Sequence, residues 1–376
     1  MTKKKPSLSI KQVFLLGSKL VITLSVILCV FSLFRTHSTS QIHKHPRSRT
    51  IFHVQQQFNG PSKIAFLFLT RKDLPLDFLW DTFFENADSR NFSIYVHSEP
   101  GFVFNEWTTK SPFFYNRQLR ESVRVVWGES SMIDAERMLL KEALEDPANQ
   151  RFVLLSDSCV PLYNFSYIYN YLMSSPRSFV DSFLDGKESR YNPKMSPDIP
   201  KSKWRKGSQW IALIRKHAEV IVDDDAILPV FEAYCKRRPS IVSGRKNIKL
   251  QKQHNCIPDE HYVQTLLSMS ELDNELERRT LTYTLWNQST TKTEKTAWHP
   301  VQFSYAKAGP QQMKEIKGIN HVYYETEYRT EWCRTNSTFV SCFLFARKFS
   351  RGAAMRLLSE GLLRSSDSSV VVTTHL

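Results

Sequence analysis

A run of four apolar residues at 152–155 constrains the fold more than any other stretch of the chain. It follows Arg151 and leads into Ser156-Asp157-Ser158, which is the pattern of a strand buried on both faces of a sheet. Open α/β sheets bind ligands at the carboxyl ends of such strands, which places Asp157 at a candidate binding edge. A core strand followed by a turn that Asp157 merely caps explains this run equally well.

Strand and helix patterns alternate through the first half of the chain. Apolar runs at 63–70, 92–97 and 123–127 indicate strands like the one at 152–155. One helical pattern begins at Pro75, after the first run, and another covers about 134–144, just before the run at 152–155. Helices between successive strands are typical of parallel strands joined by right-handed crossovers. We therefore predict an α/β fold with a Rossmann-like, mostly parallel central sheet flanked by helices.

Residues 13–34 form an apolar stretch with a single charge, Lys19. As a helix this stretch would span roughly 33 Å, enough to cross a bilayer. It contains no clean small-residue cleavage site, which favours an uncleaved signal anchor over a cleaved signal peptide. The predicted organisation is a cytoplasmic tail at 1–12, the transmembrane anchor at 13–34, a polar stalk at 35–61, a luminal domain at 62–364 and a disordered tail at 365–376.

The net charge of +14 lies mostly ahead of the predicted domain. Residues 1–50 hold six Lys, three Arg and no acidic residue, so only +5 belongs to the remaining 326 residues. A nucleic-acid surface requires basic residues clustered on the folded domain. The charge distribution therefore argues against a nucleic-acid partner.

Cysteines and glycosylation sequons both indicate a secretory compartment. Five cysteines follow the apolar stretch at spacings that fit no zinc pattern, so we expect disulfides, with Cys333–Cys342 as the preferred pair and one thiol left over. Four Asn-x-Ser/Thr sequons also follow the stretch, and each is a weak signal alone. They begin at Asn91, Asn164, Asn287 and Asn336. Together these features predict a single-pass type II membrane protein.

Common nucleotide and hydrolase motifs are missing from the sequence. It has no GxGxxG sequence, no Walker loop and no GxSxG elbow, which removes the main support for dinucleotide-binding, P-loop and α/β-hydrolase functions. Asp223-Asp224-Asp225 formally matches the DxD that holds a divalent ion in many sugar transferases. Because it lies between two predicted helices, helix capping and turn formation explain it better, and we predict no metal site.

The stretch Pro258-Asp259-Glu260-His261 is a candidate acid–base site. Proline at a helix start places Asp259 and Glu260 in the first turn, where the helix dipole favours the ionised carboxylate. A charged carboxylate on a rigid element is what a general base requires. Acidic residues in first turns are also ordinary helix stabilisers, and His261 is expected to be packed rather than catalytic.

Basic and aromatic residues in the second half suit a sugar-phosphate ligand. Arg329, Arg334 and Lys348 lie at the ends of ordered segments and could neutralise a diphosphate without a metal, although solvated surface positions explain them too. Tryptophan side chains could stack on sugar rings, while most tryptophans of such a domain belong to its core. The candidates are Trp204, Trp210, Trp286 and Trp298.

Seven short motifs follow one another along the predicted domain. They are Phe-Leu-Thr-Arg-Lys at 68–72, Ile-Tyr-Val-His at 94–97, Leu-Leu-Ser-Asp-Ser-Cys-Val-Pro at 154–161, Trp-Arg-Lys-Gly-Ser-Gln-Trp at 204–210, Cys-Ile-Pro-Asp-Glu-His at 256–261, Leu-Thr-Tyr-Thr-Leu-Trp at 281–286 and Phe-Ala-Arg-Lys-Phe at 345–349. In order and spacing they resemble the plant branch of the core-2/I-branching β-1,6-N-acetylglucosaminyltransferase family. The resemblance covers residues 63–363.

This resemblance implies a GT-A type fold and an inverting mechanism that uses a UDP-sugar donor without a bound metal. The family's catalytic carboxylate lies in a Pro-Asp-Glu segment and corresponds to Glu260. Its diphosphate-binding Lys corresponds to Lys348 and its Arg to Arg329, with Arg334 as the alternative. An acceptor-contacting Trp corresponds to Trp286, and Trp204 and Trp210 are further acceptor candidates.

The resemblance places the donor nucleotide at the strand ends, beside Thr70, Arg71, His97 and Asp157. His97 departs from the family pattern, because animal members carry an Asp there, so N-acetylglucosamine and another sugar such as glucuronic acid both stay open as the donor sugar. We expect a Golgi transferase that acts on a glycan or glycoprotein hydroxyl and needs no cofactor. The alternatives are a non-catalytic carbohydrate-binding Golgi protein and a glycoside hydrolase, which would need a second carboxylate near Glu260.

Overall fold

The computed structural model describes residues 23–29, 58–186, 190–237, 255–286, 299–335 and 338–361. Residues 23–29 are helical and exposed, and residues 1–54 form a unit separate from residues 55–376. Within the described ranges, no helix has the length and apolar character needed to cross a membrane. Several predicted features lie outside the described residues. They are the cytoplasmic tail, the C-terminal tail, most of the anchor and stalk, the sequons at Asn287 and Asn336, and Trp298.

The described part of residues 58–361 contains thirteen strands and eight α-helices. The strands are β1 (Lys63–Leu69), β2 (Phe92–His97), β3 (Asn149–Ser156), β4 (Val160–Pro161), β5 (Ser178–Phe179), β6 (Ala212–Ile214), β7 (Leu276–Glu277), β8 (Thr282–Thr284), β9 (His321–Tyr324), β10 (Arg329–Trp332), β11 (Arg334–Thr335), β12 (Thr338–Phe339) and β13 (Phe345–Arg347). The helices are α1 (Asp77–Glu85), α2 (Ser131–Leu144), α3 (Phe165–Ser174), α4 (Arg215–Val222), α5 (Leu228–Tyr234), α6 (Tyr262–Met269), α7 (Pro310–Lys317) and α8 (Arg351–Ser359).

The central sheet has six strands in the order β2-β1-β3-β6-β5-β7. Strand β1 runs parallel to both neighbours, β2 and β3, and β5 runs parallel to β7. Only β6 runs against its neighbours. The predicted α/β fold with a mostly parallel, helix-flanked central sheet is confirmed.

Strand β1 divides the hydrophobic core into two halves. Side chains of a strand alternate between the two faces of the sheet, so Phe66 and Phe68 join one buried cluster while Leu67 joins the other. On the first face, Trp80 of α1 meets Phe68 edge to face, with ring centroids 5.0 Å apart. Aromatic pairs in this geometry add stability beyond their buried area. The sheet is therefore a rigid support for groups at its carboxyl edge.

The predicted strand at 123–127 is absent from the structure. The outer edge of β2 is taken instead by the chain at 117–119, through a parallel bridge between Val96 and Gln118. With that edge occupied, the backbone N–H of Val123 donates to Nε2 of His97 at 3.2 Å. The segment therefore runs as an irregular loop across the end of β2.

A second, three-stranded sheet brings the C-terminal region back to the central sheet. Strand β13 lies between β4 and β8, and the N–H of Phe349 donates to the carbonyl of Ser158 at 3.0 Å. Lys348, just after β13, is thereby held near the end of β3.

Two disulfides and one buried thiol account for the five cysteines of the predicted domain. A disulfide joins Cys333 to Cys342, which confirms the predicted pair. A second disulfide joins Cys235 to Cys256. Cys159 is a buried free thiol.

Candidate active site

A cleft of about 1730 Å³ opens at the carboxyl ends of β1, β2 and β3. Its wall includes Thr70 after β1, His97 at the end of β2, and Asp157 after β3. Three parallel strands ending at one edge form the usual ligand crevice of an α/β sheet. Glu260 and Lys348 line the same cleft.

The four residues predicted for the nucleotide side all lie in this cleft. The N–H and hydroxyl of Thr70 donate to the carbonyl of His97 at 2.9 and 3.0 Å. Arg71, whose side chain is exposed, donates to Asp157 at 3.3 Å. Burial lowers the pKa of His97 to about 4, so its imidazole is neutral at physiological pH.

Glu260 lies at the end of a short 3₁₀ turn, Pro258–Glu260, just before α6. The proline forms the first position of this turn, as predicted, although the α-helix itself begins only at Tyr262. The backbone N–H of Gly207 donates to the Glu260 carbonyl at 2.9 Å, and the guanidinium of Arg190 pairs with the Glu260 carboxylate. The carboxylate is thus held in place on the cleft wall.

Two further carboxyl groups, those of Asp259 and Glu136, accompany Glu260. Asp259 lines the cleft and is 7% exposed; burial and the neighbouring Glu260 charge raise its pKa to about 7. Glu136 in α2 is buried and accepts a hydrogen bond from Nε2 of Gln209 at 2.7 Å. Burial and the nearby Asp259 raise the pKa of Glu136 as well. The sequence placed Asp259 beside Glu260 in the candidate acid–base stretch and gave no signal for Glu136.

Two adjacent cations enter the cleft at the end of β13. Lys348 is half-buried there, and burial together with the charge of Arg347 lowers the pKa of its ammonium group. Arg347 is largely buried, and its guanidinium carbon lies 4.4 Å from the centre of the Trp210 ring. Arg347 and Arg190 are cleft residues that the sequence analysis missed. Arg347 could have been found as the neighbour of Lys348 in the motif at 345–349.

Among the described residues that line the cleft, neither Arg329 nor Arg334 occurs. Arg329 in β10 donates to Glu327 at 2.9 Å and pairs with Glu331, and two carboxylates already balance its charge. The guanidinium of Arg334 lies over the Phe339 ring, 4.5 Å from its centre. The structure therefore does not bring either predicted arginine to Lys348.

The three tryptophans proposed for the acceptor have different surroundings. Trp286 is half-exposed on the cleft wall, and Trp210 lines the cleft beneath Arg347. Trp204 is buried, stacked on the His261 ring with centroids 4.4 Å apart. This packing of Trp204 and His261 is a core contact, which agrees with the packed role predicted for His261.

Asp224 of the DxD sequence orders the turn that leads into α5. Its carboxylate accepts from the backbone N–H groups of Ile227 and Leu228, both at 2.9 Å, and from the Tyr262 hydroxyl at 2.8 Å. Within the described ranges, no cluster of three or more His, Cys, Asp or Glu could hold a metal ion.

The two sequons inside the described ranges lie at turns or helix starts. Asn91 ends a 3₁₀ turn, Ser89–Asn91, just before β2. Asn164 is the N-cap of α3, and its side-chain oxygen accepts from the N–H of Tyr167 at 2.9 Å.

Comparison with known proteins identifies the family. Residues 64–317 match the model of the Core-2/I-Branching enzyme family. The chain belongs to this family. Glycosyltransferase BC10 of Oryza sativa subsp. japonica is 54% identical over 318 residues, which cover 83% of this chain and 80% of that protein. The protein is therefore a glycosyltransferase, and the family resemblance seen in the motifs is confirmed.

The matched region of this glycosyltransferase contains Glu260 and the strand ends of the cleft. Arg347 and Lys348 lie beyond residue 317, and the fold brings them to the same cleft. The site therefore combines residues from the family-defining region with cations from the C-terminal region.

Proposed function

We propose that this glycosyltransferase moves a sugar from a UDP-sugar to a hydroxyl of a glycan or glycoprotein acceptor, with inversion at the anomeric carbon. One observation carries the proposal: a single cleft holds the carboxylate of Glu260 together with the fixed cations of Arg347 and Lys348. A base for the acceptor and a positive site for a diphosphate are the two parts that such a transfer requires.

Glu260 acts on the acceptor side of the reaction. Its carboxylate removes the proton from the acceptor hydroxyl while that oxygen attacks the anomeric carbon of the donor. The new glycosidic C–O bond forms as the bond to the diphosphate breaks, and UDP leaves with the bonding electron pair. Arg190 keeps the carboxylate oriented through its ion pair.

Lys348 and Arg347 act on the leaving group. Negative charge builds up on the diphosphate as the C–O bond breaks, and an ammonium and a guanidinium beside it stabilise that charge. This assignment gives Arg347 the role that the sequence suggested for Arg329, because Arg347 is next to Lys348 in the cleft wall. Two fixed cations supply the charge that a metal would otherwise supply, so we propose metal-independent transfer.

The acceptor enters over Trp286, whose half-exposed ring offers a stacking face. The cleft volume of about 1730 Å³ is above the range of about 300–1,000 Å³ that is usual for one small ligand. A UDP-sugar and at least one acceptor sugar therefore fit together. N-acetylglucosamine and glucuronic acid are the donor sugars to compare first, since His97 stands at the nucleotide edge. The proposed location is the Golgi lumen, with a type II anchor at residues 13–34.

The test uses the full-length chain in detergent with a panel of UDP-sugars and glycan acceptors, in EDTA and then in Mn²⁺. We expect one donor to be consumed equally well under both conditions. Glu260→Gln should bind that donor with unchanged affinity and lose turnover by about 10²-fold or more. Asp225→Asn, an exposed member of the DxD sequence, is the matched control and should retain activity. Strict dependence on Mn²⁺ would refute the metal-independent mechanism.

A further inference from the structure

The carboxyl group of Asp259 has no evident structural task, although it is nearly buried. Among the described residues, no hydrogen-bond partner reaches its Oδ1, while its side chain lines the cleft beside Glu260. A buried polar oxygen without a partner is costly to the folded state and is rare unless a ligand or function accounts for it. The open cleft is the side from which a partner for this oxygen would come.

The charges around Asp259 come from several elements. Glu260 follows it on the same turn, and Glu136 approaches from α2. Arg190 and Arg347 are the cations that act on it. Arg190 is already paired with Glu260, and Arg347 also lies within the influence of Asp157. Each of these two cations thus has another carboxylate nearby, and buried Glu136 adds a further carboxyl group beside Asp259.

Such a cluster keeps one or more of its carboxyl groups protonated, because like charges cannot all be ionised at close range in a site shielded from water. Asp259 and Glu136 are the members whose pKa is raised, and of these two Asp259 is the one that lines the cleft. Burial and the charge of Glu260 hold the pKa of Asp259 near 7. A protonated carboxyl group carries an O–H that donates one hydrogen bond.

We propose, on the basis of the transferase mechanism above, that Asp259 binds the acceptor sugar as a neutral carboxylic acid, donating a hydrogen bond to a second hydroxyl while Glu260 deprotonates the reacting one. Asp259 and Glu260 line the same cleft, which makes the acceptor that Glu260 deprotonates the ligand of Asp259 as well. The neutral form also keeps a second negative charge away from the base. Asp259 is thus a binding residue that sets acceptor orientation and confines activity to pH values at which it holds its proton.

Two substitutions separate the neutral acid from an ionised carboxylate. Asp259→Asn keeps the size and a hydrogen-bond donor and stays neutral at every pH. Asp259→Ala removes the donor. The donor is whichever of UDP-N-acetylglucosamine and UDP-glucuronic acid turns over, and the acceptor is the p-nitrophenyl β-glycoside that reacts with it. With this pair of substrates, the full-length wild type and both variants are compared from pH 5.5 to 9. Thermal unfolding of each variant establishes that it is folded.

We expect wild-type kcat/KM to decline above about pH 7, as Asp259 ionises. Asp259→Asn should stay within about threefold of wild type at pH 6 and lose the alkaline decline. Asp259→Ala should fall about 10- to 100-fold, mainly through the acceptor KM, as expected for a lost hydrogen bond to substrate. Glu136→Gln, which changes the buried carboxyl group behind the wall, should leave the alkaline decline in place.

Three results would overturn the inference. Asp259→Asn could be as weak as Asp259→Ala, the alkaline decline could persist in Asp259→Asn, or Glu136→Gln could abolish that decline. Infrared difference spectra of wild type minus Asp259→Asn at pH 6 decide protonation without any turnover, since a protonated-carboxyl band should be present. If no donor reacts at all, the proposed function fails, and the infrared result still decides the protonation of Asp259.

Discussion

Arg190 and Glu260 form an ion pair on the cleft wall, with only 16% and 25% of their side chains exposed. A guanidinium paired with a carboxylate fixes the orientation of the carboxylate and balances its charge. We therefore expect Arg190→Gln to lower kcat about 10-fold or more while donor affinity changes little. Arg190→Lys should recover part of kcat, because Lys supplies the charge without the planar fork. Steady-state kinetics with calorimetric UDP binding measure both; wild-type kcat in Arg190→Gln would show that the pair is only structural.

We expect the loss of Lys348, but not the loss of Arg329, to weaken UDP binding. Lys348 lines the cleft, whereas Arg329 pairs with Glu327 and Glu331. Lys348→Ala should weaken UDP binding about 10- to 100-fold, as for loss of a charged hydrogen bond. Arg329→Ala should leave UDP affinity within about twofold and lower thermal stability, because Glu327 and Glu331 lose a partner. Calorimetric titration of both variants with UDP decides between them, and the reverse ranking would restore the role that the sequence suggested for Arg329.

The same assignment predicts how UDP binding responds to pH. Burial and the charge of Arg347 lower the pKa of Lys348 below its ordinary value, so its ammonium group loses its proton at a lower pH than an exposed lysine does. UDP affinity of the wild type should therefore begin to fall before the pH reaches the ordinary lysine range near 10.4. The fall should be absent from Lys348→Ala, whose affinity is already low. A parallel decline in both proteins would exclude Lys348 as its cause.

Gly207 passes so close to Asp181 that a Cβ atom there would lie 1.6 Å from the Asp181 carbonyl oxygen. Any side chain would force the backbone apart, so we expect Gly207→Ala to destabilise the fold by about 2–4 kcal/mol. Gly352→Ala is the matched control: it lies in α8 with its nearest neighbour, Cβ of Tyr305, at 3.7 Å, and should stabilise by about 0.5–1 kcal/mol. Urea unfolding measures both free energies. Equal stability of the two variants would contradict the close approach at Gly207.

Local patterns in the sequence predicted the parts of the site that depend on strand ends. Thr70, His97 and Asp157 lie at the ends of apolar runs that form β1, β2 and β3. The carboxyl ends of parallel strands meet at one edge of the sheet, whichever way the flanking helices pack. Glu260 follows a proline that starts a turn, which is also a local signal. These residues all line the cleft, while their chemical roles stay predictions.

Contacts between distant segments could not be predicted from the sequence. Nothing near Arg190 shows that it pairs with Glu260, seventy positions later. The run at 123–127 has a strand-like pattern, yet residues 117–119 take the edge of β2 first. Trp204 stacks on His261, and composition cannot distinguish such a core tryptophan from one that stacks on a sugar.

Substitution of Trp286 should weaken binding of the acceptor and leave binding of the donor unchanged. Its half-exposed ring lies on the cleft wall, and loss of an aromatic stacking face costs roughly 0.5–1.5 kcal/mol. Trp286→Ala should therefore raise the acceptor KM about 2- to 12-fold and leave UDP affinity unchanged. Trp107→Ala, at an 86% exposed tryptophan outside the described cleft wall, is the control and should leave both constants unchanged. A weaker UDP affinity in Trp286→Ala would place this ring on the donor side instead.

His97 should make the fold sensitive to acid. Its pKa is about 4 in the folded protein because of burial, against 6.5 for an ordinary histidine, so between these values the unfolded chain binds more protons. Stability supplied by the neutral ring is complete above about pH 6.5 and is lost as the pH falls toward 4, a loss of roughly 3 kcal/mol.

In His97→Gln, the side-chain carbonyl can still accept from the N–H of Val123 and does not titrate, so the unfolding free energy of this variant should fall less steeply from pH 7 to 4. His321→Gln, at an exposed histidine, should follow the wild-type slope. Urea unfolding at each pH gives the three curves, and identical slopes for wild type and His97→Gln would show that protonation of His97 does not drive the acid sensitivity.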